Sequence, residues 1–352
     1  MSSSPQRGRG ATSNPDNRYT PIHRTAEDDG WQREADAPLH TVLHPLPAKS
    51  LISYNNSPDI PFSRSINPYQ GCEHGCVYCY ARPSHAYWGY SPGLDFETQI
   101  IAKPNAAELL RKELAKPGYV CEPVCIGANT DAYQPAEREL QLTRQILQVL
   151  DEHHHPTYLI TKNALVERDI DVLARMAERR LVKVMISVTT LDKTLARHLE
   201  PRASTPARRL EAIAALRAAG IPVGVLVAPV IPALTDHEAE AILSAVAAAG
   251  AQSVSYILLR LPLEVAGLFR DWLQTHYPDR ASHVMSLVQQ MRGGQDYRPG
   301  FGQRMRGEGI FAELLAQRFA LARKRLGLDQ ASLVLDCSQF KPPGAAEQLS
   351  LF

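Results

Sequence analysis

Apolar positions between residues 123 and 259 follow two rhythms. Short runs with little polar interruption, such as Val124-Cys125-Ile126 and Tyr158-Leu159-Ile160, suit strands buried in a parallel sheet. The stretches between them carry apolar residues at three- and four-residue intervals, the spacing of a helix with one inner face. The pattern predicts strands over 123–128, 157–161, 181–188, 222–228 and 253–259. It predicts helices over 136–150, 170–177, 206–219 and from 235 to 250. Pro206 stands in the first turn of one helix and Gly220 just past its end. Thr235-Asp236-His237-Glu238 reads as a capping box. About six strand–helix units fit between residues 65 and 270, too few for a closed eight-fold barrel. The expected class is α/β, a parallel sheet with right-handed crossovers.

The flanks break this rhythm. Residues 1–50 are polar, interrupted by Pro5, Pro15, Pro21, Pro38, Pro45 and Pro47, and show no helix or strand period, so a flexible arm is expected there. The barrel unit is expected over 51–270 and a helical extension over 271–338, with helices at 268–276, 281–291 and 309–326 and a Gly-rich basic loop at 292–300. A flexible tail is expected over 339–352.

Composition narrows the class. The chain has 352 residues, 44% hydrophobic, with a net charge of +1, so any attraction for nucleic acid must rest on local patches. No apolar stretch is long enough to span a bilayer, and Met1 to Asp29 holds no secretory apolar run. A cytoplasmic enzyme is the expectation.

The chemistry concentrates in Gly71-Cys72-Glu73-His74-Gly75-Cys76-Val77-Tyr78-Cys79-Tyr80, a Cx3CxxC. Three thiolates so close together can wrap a metal centre but leave one position unfilled. Iron–sulfur cubanes normally take four cysteines, so a cubane on three presents one iron to a small molecule. Zinc is the other reading, with His74 or His85 as fourth ligand, although no second CxxC is present. A disulfide framework would need an oxidising compartment. Cys121, Cys125 and Cys337 are widely placed and read as buried or free.

This spacing, with Tyr78 just before the last cysteine, resembles the radical S-adenosylmethionine (radical SAM) superfamily. The run from Asn67 to Arg82 is similar to the branch that includes spore photoproduct lyase and the proteins called DNA repair photolyases. The resemblance covers roughly residues 50–270 and implies an open, partial (β/α)6 barrel. It also implies a [4Fe-4S] cluster on Cys72, Cys76 and Cys79 that chelates S-adenosylmethionine (SAM). One electron from a reductant such as flavodoxin or ferredoxin then releases a 5′-deoxyadenosyl radical.

Ligands of parallel α/β folds bind at the carboxyl ends of the strands. There, Lys162 and Arg202 can pair with the SAM carboxylate. Thr130 and Ser187 can bond ribose hydroxyls or the amine, and Tyr78 and Tyr80 can pack on adenine. In the lyase a Thr/Ser-Asp turn and a later Lys touch SAM; Thr130-Asp131 and Lys162 occupy the matching places. Each also has an ordinary role: a Thr after a strand often caps a helix, and a loop Lys is usually solvated.

One departure matters. The lyase carries a hydrogen-donating cysteine just before that turn, where this chain has Ala128 and Asn129. Cys125 lies earlier, inside the strand, and is expected to face the core; Tyr133 is an alternative donor. Repair of a thymine photodimer by the lyase's route is therefore disfavoured.

Two substrate classes remain. Nucleic acid is suggested by Arg202, Arg208 and Arg209, by Arg292, Arg298, Arg304 and Arg306 interleaved with Tyr297 and Phe301, and by Arg318, Arg323, Lys324 and Arg325. A protein or small metabolite is the other, with the helical extension as a lid. Finally, Gln348-Leu349-Ser350-Leu351-Phe352 resembles the pentapeptide that repair proteins insert into the bacterial DNA polymerase sliding clamp.

Overall fold

The computed structural model describes residues 6, 8–20, 39–329 and 333–344. Ten strands occur among them: β1 (Val42–Pro45), β2 (Ile52–Tyr54), β3 (Arg64–Ile66), β4 (Tyr69–Gln70), β5 (Gln99–Ala102), β6 (Val124–Ile126), β7 (Thr157–Thr161), β8 (Val182–Ser187), β9 (Val223–Val230) and β10 (Ser253–Leu258). The large sheet runs β10-β9-β8-β7-β6-β3-β2. Its six strands from β3 to β10 are parallel, and β2 closes one edge antiparallel to β3. The expected partial (β/α)6 barrel is therefore present, with the cysteine loop following its first parallel strand. A small sheet, β1-β5-β4, lies apart and was not expected.

Alternation along each strand decides what faces what. Val124, Ile126, Leu159, Val182, Val184, Ile186, Val223, Val225 and Val254 pack into one core with the flanking helices. Cys125 is fully buried but falls between Val124 and Ile126 in the pleat, which turns it to the opposite face of the sheet, near enough to Tyr80 to influence it electrostatically. Its full burial inside the strand is as expected. A second core gathers at the carboxyl ends of the strands, where Cys76, Val77 and Tyr78 pack with Leu199, Ile231, Leu259, Phe269 and Trp272.

Several helices start and stop where the sequence indicated. Pro206–Ala218 is capped by Thr205, whose hydroxyl accepts from the Arg208 N–H at 3.4 Å, and ends before Gly220 at φ 77°. The segment 136–150 instead divides into Glu137–Leu140 and Leu142–Glu152 around Gln141, which adopts a left-handed φ of 50°. The capping box is also corrected. The Thr235 hydroxyl accepts from the Ile231 N–H, and Glu238 accepts from the Thr190 hydroxyl and the Leu191 N–H. The extension holds Glu264–His276, Pro278–Gln290, Gln303–Arg306 and Ile310–Arg325. No helix among the described residues is long and apolar enough to cross a membrane.

The described part of the expected arm is fixed. Glu97 accepts from the backbone N–H groups of Gly10 and Ala11 at 3.0 and 2.8 Å and pairs with fully buried Arg82 at 2.5 Å. Asn17 donates to the carbonyls of Ala86 and Tyr90, and Ser91 to that of Pro15. Burying a Glu–Arg pair is costly unless its remaining bonding capacity is used, and residues 10 and 11 use it. The tail residues 348–352 lie outside the described residues.

Candidate active site

The cysteine loop is held from three sides at the carboxyl ends of the strands. Asn67, just past β3, accepts from the Asn129 and Thr130 N–H groups beyond β6. Glu73 accepts from the Ala136 N–H at 2.7 Å, and its own N–H donates to Gln134. The Val77 N–H donates to the Leu199 carbonyl. Cys72 and Cys76 are buried and Cys79 is half-buried.

Beside them sits a buried charge network. Lys162, immediately after β7, places Nζ 3.5 Å from Cys76 Sγ, 3.1 Å from the Tyr78 hydroxyl and 3.5 Å from Glu200. Glu200 also accepts from Tyr78, from Thr189 at 2.7 Å and from Arg209. Burial alone would raise the Glu200 carboxyl, but the charges of Arg209 and Lys162 hold it well below the usual carboxylate range. Burial likewise opposes the Lys162 ammonium, and the groups around it, Cys76, Tyr78 and Glu200, raise its pKa overall. The Cys76 thiol is pushed up to about 12 by burial, with Lys162 acting in the opposite sense. A cation is thus already in place to balance a thiolate.

Asp131 is the second anchor. It accepts from the Thr161 hydroxyl at 2.6 Å and the Lys162 N–H at 3.0 Å, and lies 3.3 Å from His74. Burial would raise its pKa; His74, Thr161 and the Tyr133 N–H more than offset that and bring it to about 2. His74 also contacts Asn163 at 3.0 Å through its other nitrogen. Both ring nitrogens are thereby turned to the strand ends rather than to the thiols. His85 stacks on Tyr90 and meets Phe96 edge-on.

These positions test the candidate metals. All six cysteines are free, which removes the disulfide framework. Among the described residues no three His, Cys, Asp or Glu side chains converge closely enough for one metal ion, as tetrahedral zinc requires. Thiolates on an iron–sulfur cluster each bind a different iron and stand further apart. Three thiols in one loop, two buried and one half-buried, beside a fixed cation, suit that group better than zinc.

Residues 66–246 match the sequence model of the radical SAM superfamily. The chain belongs to the radical SAM superfamily. It is a radical SAM enzyme, and membership implies an iron–sulfur cluster, SAM and a reductant. A protein of Mycobacterium tuberculosis described as uncharacterised is 38% identical over 268 residues, 75% of this chain and 78% of that protein. Another, from Methanocaldococcus jannaschii, is 26% identical over 214 residues, 61% of this chain and 76% of that protein. Among solved structures, spore photoproduct lyase complexed with dinucleoside spore photoproduct shares the fold, with a TM-score of 0.57, 17% identity and coverage of 81% of this chain and 79% of that one. A variant of that lyase with bound SAM and the same dinucleoside gives a TM-score of 0.56 at 17% identity, with coverage of 81% and 79%.

Within this radical SAM fold, Lys162 and Tyr78 meet at the cysteine loop, while Asp131 secures its rim. Tyr78 is buried with its hydroxyl committed to Glu200, so it forms a wall. Tyr80 is 46% exposed, and its hydroxyl donates to the Ala128 carbonyl. Thr130 is buried and spends its hydroxyl on the Tyr69 carbonyl at 3.2 Å, and Ser187 lies buried at the end of β8. Arg202 contacts the cysteine loop through Glu73, with its guanidinium 3.2 Å from that carboxylate and 3.1 Å from the Thr41 hydroxyl. Tyr133 is fully buried and donates to Asp169.

The expected basic clusters largely dissolve. Arg209 is internal to the site, Arg208 pairs with Glu167 and Glu211, Arg298 with Glu308, Arg304 with Asp59 and Arg318 with Glu240. The sequence offered His74 only as a zinc ligand and Glu200 only as a polar residue near a strand end; their roles in bracing Asp131 and Lys162 emerge from the structure. The one available signal was a Glu-Pro pair beyond a strand otherwise followed by Ser and Thr.

Proposed function

We propose that Cys72, Cys76 and Cys79 hold a [4Fe-4S] cluster and that the enzyme cleaves SAM reductively to act on nucleic acid. When bound and reduced, the cluster supplies the electron that splits the SAM sulfonium and yields a 5′-deoxyadenosyl radical. The observation that carries the reading is the Lys162 ammonium fixed 3.5 Å from Cys76 Sγ by Tyr78 and Glu200. It offers a carboxylate of SAM a charge-assisted hydrogen bond where water has been excluded. Asp131 and Asn163 hold His74, and with it the loop, at the ends of β6 and β7. Tyr80 presents an aromatic face at the rim for adenine or for substrate.

Nucleic acid is supported by the fold shared with a lyase whose solved structure contains a dinucleoside photoproduct. A second reading, a protein or small-metabolite substrate, is favoured by the internal pairing of so many arginines. Affinity for DNA or RNA that falls steeply with salt supports the first; absence of binding at low salt supports the second. A flavodoxin or ferredoxin is the proposed reductant. Residues 348–352 are proposed to dock the sliding clamp with micromolar affinity, since two large apolar side chains are all that so short a peptide buries. Loss of clamp binding on truncation after Ala346 is the expected result; equal binding by both chains refutes it.

For the central reading, anaerobic reconstitution should load about four irons per chain and support SAM cleavage by a strong reductant. Cys76→Ala should lose both together. A variant retaining full iron, or a native protein holding zinc alone, would overturn the assignment.

A further inference from the structure

Among the described residues, several arginines bury guanidinium atoms, and four of them near the site and the extension differ in their partners. Arg82 meets Glu97, and Arg209 meets Glu200. Among the described residues, Arg260 and Arg292 meet no carboxylate. Arg292 donates to the carbonyls of Leu259 and Gln303, its Nε is buried without a partner, and burial together with the charge of Arg260 lowers its pKa to about 10. Among the described residues Arg260 has weak contacts alone: Nη1 to Met305 Sδ at 3.7 Å, Nη2 to the Tyr297 hydroxyl at 3.4 Å, and a buried Nε with none. The nearby acid, Asp59, is already bound to Arg304 and the Gly302 N–H.

Position makes this deficit informative. Arg260 stands just past β10, at the same strand ends as Lys162 and the cysteine loop. Its guanidinium lies 4.8 Å above the ring of Tyr80, the residue after Cys79, and 6.0 Å from the ring of Tyr297. Farther along the extension, Arg304 covers the ring of Phe301, which is 59% exposed. Cations interleaved with aromatic faces form the surface that single-stranded nucleic acid uses, phosphate on the fork and base on the ring.

We propose that Arg260 is the phosphate-binding residue of a nucleotide subsite at the barrel mouth, with Tyr80 and Tyr297 as its stacking walls. The subsite rests on the nucleic-acid reading above and locates it on one side chain. A phosphodiester oxygen supplies the anionic partner that no carboxylate among the described residues gives this guanidinium, beside the opening to the cysteine loop. The surrounding basic residues are mostly neutralised by their own acids, so this one contact carries a large share of affinity.

The test uses the reconstituted full chain and a fluorescent single-stranded oligothymidylate, titrated over a salt series. Arg260→Gln should weaken binding ten-fold or more and lower the salt slope by about 0.7, the loss of one phosphate contact on a single strand. Arg138→Gln, at an exposed position elsewhere, should leave both unchanged. Iron content and circular dichroism report folding. If Arg260→Gln fails to fold, Arg260→Lys takes its place and should lose part of the affinity, because an ammonium keeps the charge and not the fork. Wild-type affinity and slope in the folded variant overturn the subsite alone. No binding by the wild-type protein at low salt overturns the nucleic-acid reading and the subsite with it.

Discussion

Glu200 shows how a single buried carboxylate organises this site. It meets Lys162, Arg209, Tyr78 and Thr189, and its side chain is almost wholly buried. Removing one partner of such a network strands the others as uncompensated charges. Glu200→Ala should therefore cost about 3–5 kcal/mol of stability, read by chemical denaturation. The double variant Glu200→Leu with Arg209→Met should recover much of that loss, because an apolar pair needs no counter-charge. A double variant as unstable as the single would show that packing, not charge, dominates. Lys162→Met should keep iron while weakening SAM roughly ten- to a hundred-fold, the loss of a charge-assisted hydrogen bond worth about 1.5–3 kcal/mol. Thr130→Ala should weaken SAM less, since that hydroxyl already serves the Tyr69 carbonyl. Equilibrium titration of SAM against the iron-loaded variants measures both.

At the scale of elements, the segment 8–20 behaves as a strap over the cysteine loop. Gly10 lies so close to Gly75 that an added Cβ would run into the Gly75 carbonyl. Gly10→Ala should therefore release the strap from Glu97 while the barrel stays folded. Limited trypsin digestion should then cut at Arg9 and Arg18 faster than in the wild type, and iron should leave sooner; unchanged cleavage would mean that the strap tolerates the methyl group. This element also marks how far the sequence could be read. Five of the six parallel strands, β6 to β10, were legible as apolar runs, as Val182–Ser187 is; β3, three residues with Ile66 as its one apolar side chain, was not. The cysteine triad was legible from spacing alone. The strap was not, because nothing within it is periodic and its bonds go to Glu97, 86 and 87 positions away. Strands of two to four residues, such as Tyr69–Gln70 and Gln99–Ala102, are likewise too short to display alternation. The surface arginines misled for the converse reason: their acids, Glu167 for Arg208 and Asp59 for Arg304, are remote in sequence.

The whole molecule is closed at the end opposite the site by residues 333–344. The Lys341 N–H donates to the His153 carbonyl, Asp336 N–H to that of Arg180, and Phe340 packs edge-on against His155 and tilted against Tyr119. His155 is fully buried, with Nε2 2.8 Å from the Tyr119 hydroxyl and Nδ1 3.0 Å from the Pro156 carbonyl. Burial, the largest influence, lowers its pKa from 6.5 to about 4. An unfolded chain therefore takes up this proton near pH 6.5, whereas the folded one resists until about 4. Between those values the unfolded state binds more protons, so stability falls as the pH is lowered from about 6.5, and the loss is complete near 4. The full penalty is on the order of 3 kcal/mol. His155→Gln retains a polar partner for Tyr119 and does not titrate. Acid loss of the cluster and the similar shift of His85, also to about 4, are common to both proteins and cancel in their difference. Denaturation midpoints measured from pH 7.5 to pH 4 should thus converge as the pH falls, with the wild type losing more stability than His155→Gln across that window. Parallel profiles would place the charge-sensitive burial elsewhere and leave the Tyr119–His155–Phe340 cluster a purely apolar clasp.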